Sequence, residues 1–110
     1  MTGYAALRER RTLVPLTDCH PEIGIDDAYH ISLHMLERRQ ADGEQVVGKK
    51  IGVTSKPVQD MLNVHQPDFG FLTDAMHHAD GATIPIAAAG LIQPRAEGEI
   101  AFMLKSDLQG

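Results

Sequence analysis

Between Asp26 and about Ala41 the apolar residues Ala28, Ile31 and Met35 recur at helical spacing, with Tyr29, Leu33 and Leu36 beside them. A period near 3.6 puts such residues on one helix face, and the extra members make that face broad. The segment predicts a long helix with a wide buried stripe, which the rest of the fold must cover. Asp26 suits its N-cap, Arg38 and Arg39 suit the negative end of the helix dipole, and Gly43 follows as a stop.

Farther along the chain the period changes. In Gln93-Pro94-Arg95-Ala96-Glu97-Gly98-Glu99 two acids alternate, and Ile100, Ala101, Phe102, Met103 and Leu104 follow. This reads as a strand, in which side chains two apart share a face. Glu97 and Glu99 are then neighbours, while Ile100, Phe102 and Leu104 face the other way, towards a core. Like charges held together repel unless compensated, and a hard divalent cation with oxygen ligands is the usual compensation. Spacing alone leaves a simpler reading open, a solvated edge strand that carries two acids.

The remaining elements follow from local signals. Tyr4 to Val14 predicts a helix ending before Pro15, and residues 15–24 a loop. Val46 to Val53 reads as a strand. Ser55 caps a short helix through Leu62, with Pro57 in its first turn, and Asp80-Gly81 signals a turn. Helices in the first half and strands in the second make the class α+β. A length of 110 residues fits one domain or a piece of one, and 43% apolar content suffices for a core. No internal domain boundary is expected in 1–110.

Charge and cysteine content narrow the function. A net charge of -5 argues against nucleic acid as partner. No apolar run approaches the roughly 20 residues that span a bilayer, and no signal peptide opens the chain. Cys19 is the single cysteine, so no internal disulfide forms, and a reducing, cytoplasmic compartment is expected. Beside His20 it reads as an inert thiol. His30 and His34 have a spacing that can bind zinc, but Ile31 stands where a metalloprotease needs Glu. His77-His78 lies in a predicted loop. Gly48 and Gly52 do not form a phosphate-binding loop. Lys49 and Lys50 alternate in the predicted strand, so one can be solvated while the other faces inward as a charge clamp or proton-transfer group. An ordinary exposed lysine is the competing reading.

Three segments together carry a resemblance. They are Gly48-Lys49-Lys50-Ile51-Gly52-Val53-Thr54-Ser55, then Val64-His65-Gln66-Pro67-Asp68-Phe69-Gly70, then Leu91 to Phe102 with its Glu97-Gly98-Glu99. In this order and spacing, from about Ala6 onward, the chain resembles the 2-hydroxypenta-2,4-dienoate hydratases, also called 2-oxopent-4-enoate or vinylpyruvate hydratases. These sit with the 4-oxalocrotonate decarboxylases in the fumarylacetoacetate-hydrolase-like superfamily.

The resemblance implies that Glu97 and Glu99 bind a divalent metal, Mg2+ or Mn2+. It implies that Lys50 points into the pocket, that Asp68 is an active-site acid, and that Leu62 lines the same pocket. It also implies metal-dependent hydration of 2-hydroxypenta-2,4-dienoate to 4-hydroxy-2-oxopentanoate in meta-cleavage degradation of aromatic compounds. The implied partners are a small dienoate substrate, a homo-oligomer and an associated pathway decarboxylase.

Family members are more than twice as long, with a third metal-binding carboxylate and a pocket serine farther on. The chain is therefore expected to be an N-terminal part of such a domain, inactive alone. Decarboxylation of 2-oxohex-3-enedioate is the alternative activity. A truncated, inactive folding or assembly module is the alternative of another class.

Overall fold

A glycine, not an aspartate, starts the longest helix. The computed structural model describes residues 3–109. In it α3 (Ile25–Ala41) is capped by Gly24 rather than by Asp26, and Asp27 accepts a hydrogen bond from the Gly24 N–H at 2.9 Å. Asp26 lies inside the first turn, where its charge suits the dipole. Two helices precede α3, α1 (Gly3–Arg8) and the single turn α2 (Leu16–Cys19), which lies within the predicted loop. After it come β1 (Val46–Gly52), α4 (Lys56–Leu62), β2 (Asp68–Thr73) and a 3-10 turn at Asp74–Met76. No described helix is long and apolar enough to cross a membrane.

Three helices end in the same way. A residue with positive φ stands at or just after each cap, and two backbone hydrogen bonds close the end, one reaching back three residues and one reaching back five. Gly43 (φ 97°) does this for α3 and Asn63 (φ 54°) for α4. Arg10 (φ 55°) does it for α1, with Arg10 N–H donating to Leu7 O and Arg11 N–H to Ala6 O. This closure stops α1 at Arg8, well short of the expected Val14.

β1 and β2 form a two-stranded antiparallel sheet in which Lys49 opposes Phe71, Lys50 opposes Gly70, Ile51 opposes Phe69 and Gly52 opposes Asp68. Alternation separates the ribbon into two faces. One carries Lys49, Ile51, Phe69 and Phe71. The Phe69 ring stacks on Tyr29 of α3 at a centroid distance of 4.9 Å, and Phe71 meets Phe69 edge-on at 6.1 Å. The other carries Gly48, Lys50, Gly52, Asp68, Gly70 and Leu72. The chain class is α+β as expected, with one small sheet.

The stripe on α3 is thinner than its sequence suggests. Tyr29, Ile31, Met35 and Leu36 are half-buried, and Ala28 and Leu33 are exposed. Among the described residues only Ala6 and Thr73 are buried outright. The expected strand after Gly98 is absent. Ile100 and Phe102 are 84% and 86% exposed, because no described segment lies alongside to pair with their backbone. A strand needs that partner, whatever its side-chain pattern. The radius of gyration, 15.7 Å, exceeds the roughly 13 Å of a compact domain of this length.

One carboxylate ties the helices to the sheet. Glu44, in the α3–β1 turn, accepts from Arg8 of α1 at 2.8 Å, from Arg39 of α3 at 2.8 Å and from the buried Thr73 hydroxyl of β2 at 2.6 Å. Burial alone would raise its pKa. The hydrogen bonds from Thr73, Arg8 and Arg39 outweigh this and hold it at about 2. A depressed carboxylate pKa stabilises the fold above the unfolded value of 4.5, and the contribution is lost as pH falls towards 2. Glu44→Ala also strands the Thr73 hydroxyl, so a loss of about 2–4 kcal/mol is expected in urea unfolding at pH 7. The gap between variant and wild type should shrink progressively below pH 4.5. A gap that stays constant down to pH 2 would contradict the role of the ionised carboxylate.

Candidate functional site

Lys50 shares its face of the ribbon with Leu72 and Asp68 at the two ends, but its immediate neighbours on that face are glycines. Its neighbours two residues away are Gly48 and Gly52, and its cross-strand partner is Gly70. No side chain from these positions crowds it, so the long lysine stem lies over bare backbone. Lys49 takes the opposite face, with its Nζ 5.6 Å from the centre of the Phe71 ring. The alternation read from sequence thus separates the two lysines.

The Lys50 ammonium meets both acids of the Glu97-Gly98-Glu99 motif. Its Nζ lies 2.8 Å from Glu99 Oε1 and 3.4 Å from Glu97 Oε2. The two carboxylates converge although the segment is irregular rather than a strand. A cleft of about 910 Å³ surrounds this cluster, and Lys50, Leu62, Asp68, Glu97 and Glu99 all line it. Arg95 lines it as well. Sequence reasoning misses Arg95 and Gly70, and takes up Gly52 only to reject a phosphate-binding loop, though each lies inside a motif that carries the resemblance. A smaller cleft of about 320 Å³, bounded by Tyr29, Val64 and Pro67, shares Leu62 and Asp68 with it.

Local backbone explains how α4 and β2 reach the cleft. Val53 has φ 54°, a left-handed conformation rare for a β-branched residue, and it turns the chain sharply out of β1. Gln59 of α4 secures the turn by donating from Nε2 to Val53 O at 3.0 Å. Ser55 caps α4 as expected, with Pro57 in the first turn, although the Ser55 side chain makes no capping bond. Leu62 then arrives at the cleft at the end of α4.

The electrostatics are those of a cation between two anions. The hydrogen bond to Glu99 raises the Lys50 pKa above its ordinary value, against the opposing pull of burial, and Glu97 adds to the rise. Lys50 is therefore protonated at neutral pH and acts here as a positive charge. Two carboxylates that reach one nitrogen are hard oxygen donors able to hold a divalent cation at the same point. Among the described residues no third His, Cys, Asp or Glu joins them, so they fit such an ion as part of its shell.

The other sequence candidates stay apart from the cleft. His34 contacts Glu37 at 2.9 Å on the exposed side of α3, and His20 contacts Glu22 at 3.3 Å. Cys19 is exposed and free. Neither His30 nor the His77-His78 pair belongs to a metal-binding group among the described residues.

Glu99→Gln should lower the Lys50 pKa towards 10.5, and Glu97→Gln should lower it less, as followed by NMR titration of the lysine side chain. An equal or reversed ranking would contradict the geometry.

No protein-family model matches the chain. It is 77% identical over 107 residues to a 2-hydroxyhexa-2,4-dienoate hydratase of Comamonas testosteroni, covering 97% of this chain and 40% of that protein. It is 64% identical over 107 residues to a 2-hydroxypent-2,4-dienoate hydratase of Pseudomonas putida, covering 97% of this chain and 48% of that protein. Among solved structures it resembles the 4-oxalocrotonate decarboxylase of Pseudomonas putida G7 in complex with magnesium and adipate. The TM-score is 0.63 at 30% identity, over 66% of this chain and 27% of the decarboxylase. Over nearly its whole length, then, the chain is similar to the 2-hydroxydienoate hydratases, and it spans less than half of each of these two relatives.

Proposed function

We propose that the protein carrying this chain adds water to 2-hydroxypenta-2,4-dienoate, giving 4-hydroxy-2-oxopentanoate in the meta-cleavage breakdown of aromatic compounds. The observation that carries the reading is the meeting of Lys50, Asp68, Glu97 and Glu99 in one cleft with Leu62. The 77% and 64% identities to dienoate hydratases favour hydration. The chain is read as the N-terminal part of a single hydratase domain, without an internal boundary, and the whole enzyme as a cytoplasmic homo-oligomer.

The substrate is a small monoanion with carboxylate and enol oxygens on adjacent carbons. Glu97 and Glu99 would hold a divalent metal, Mg2+ or Mn2+, and the similar decarboxylase is complexed with magnesium. Bound there, the ion would supply Lewis acidity to the two substrate oxygens. With those carboxylates engaged by such an ion, the Lys50 ammonium would be free to neutralise the substrate carboxylate or the developing enolate oxygen.

The reaction has two parts. Ketonisation removes the proton from the 2-hydroxyl and adds one at C5, giving 2-oxopent-3-enoate. Water oxygen then bonds to C4, and a proton is added at C3. In this reading Asp68 accepts and returns a proton, Lys50 holds negative charge, and Leu62 covers the apolar carbons and excludes bulk water.

Lys50→Ala in the protein that carries this chain should reduce turnover by about 10²-fold or more, the scale of a proton-transfer or charge-holding group. Lys49→Ala should change it little. The substrate assignment is tested by comparing hydration of the dienoate with CO2 release from 2-oxohex-3-enedioate. Faster decarboxylation of the diacid would replace hydration as the activity.

A separate expectation concerns the 110-residue chain by itself. Two carboxylates leave most of a metal shell to water, so Mn2+ titration should show weak binding and no hydration. Tight stoichiometric binding with turnover would show that these residues alone suffice.

A further inference from the structure

Three glycines share the Lys50 face, and only one of them lies where a side chain would displace a group of the site. A Cβ built on Gly48 would meet Leu72 at an ordinary 3.8 Å, and one built on Gly70 would meet nothing within 4 Å. A Cβ on Gly52 would lie 2.5 Å from Asp68 Oδ1 and 3.6 Å from Asp68 Cγ. The register explains the closeness, because Gly52 and Asp68 are directly opposed at the end of the ribbon. The Asp68 carboxylate leans across β1 into the space that any other residue at position 52 would fill. Positive φ is not the reason for a glycine here, since Gly52 is absent from the positive-φ residues.

We propose that Gly52 is a positioning residue for Asp68. Its missing side chain lets the Asp68 carboxylate lie over β1, on the face of the ribbon that carries Lys50 and within the cleft. The atom that a Cβ would strike is the end of a short side chain, not backbone. A methyl group at position 52 therefore rotates the Asp68 carboxylate away and leaves the ribbon intact. Gly52 acts through Asp68 and touches no substrate. The inference rests on the proposed role of Asp68.

The test is a double-mutant cycle in the protein that carries this chain, using Gly52→Ala, Asp68→Ala and the pair, with Gly48→Ala as control. Expected is a kcat loss of about 10²-fold for Asp68→Ala, the low end for a proton-transfer group. Gly52→Ala should lose a comparable factor, with KM changed less than about 2-fold and unfolding cooperative. The pair should be no worse than Asp68→Ala alone, because both changes remove the same carboxylate from its place. Gly48→Ala should stay near wild type.

Gly52→Ala with undiminished kcat, or a pair whose losses multiply, would overturn the proposal. If Gly52→Ala does not fold, recovery of folding in the pair supports the steric conflict with Asp68, and failure of the pair to fold overturns it. Full turnover by Asp68→Ala would sink the reading of the site itself. That outcome differs from an impaired Asp68→Ala beside an unaffected Gly52→Ala, which sinks only the positioning role.

Discussion

The placement of the sheet depends on the Glu44 carboxylate. It accepts hydrogen bonds from α1, α3 and β2 together, through Arg8, Arg39 and Thr73. Thr73 is fully buried, so its hydroxyl requires an acceptor inside the protein. Around this point Tyr4 bonds to Asp42 and to the Arg38 carbonyl, and Arg8 bridges Tyr4, Asp42 and Glu44. Apolar burial is sparse in the described residues, and this polar network sets how the ribbon leaves α3. Salt bridges with full exposure contribute little, but a nearly buried carboxylate with three donors is the stronger kind.

From that anchor the ribbon runs out with two different faces. Aromatic and aliphatic side chains fill the face towards α3, where Tyr29 stacks on Phe69. Glycines leave the other face bare around Lys50, and Asp68 closes its end opposite Gly52. The same alternation that gives the sheet a packing side gives it a chemical side. The positive-φ turn at Val53 then brings α4 over the cleft, so that Leu62 and Asp68 border the same space from different elements.

Much of the local structure was legible in the sequence. The end of α3 at Ala41, the stop at Gly43, the cap at Ser55 with its proline and the extent of β1 to within a residue follow from short-range signals. The start of α3 did not, because Gly24 and Asp27 share the capping that Asp26 alone was expected to perform. The end of α1 did not, because an arginine takes a left-handed position usually signalled by glycine. The strand after Gly98 was read from an apolar pattern that specifies which side chains would share a face. Pairing needs a second backbone, and none of the described segments supplies it.

The candidate site divides along the same line. The sequence by itself determined the kinds of groups, two alternating acids, an alternating lysine pair and an aspartate before Phe69, because residue type and period-2 alternation are local properties. It also determined, through three motifs, what the chain resembles. Only the tertiary structure decided that Lys50 reaches both Glu97 and Glu99 across a separation of more than 40 residues. It also decided that Gly52 lies directly beneath the Asp68 carboxylate. Both are distances between segments remote in sequence, set by strand register and turn geometry, and no local pattern encodes them.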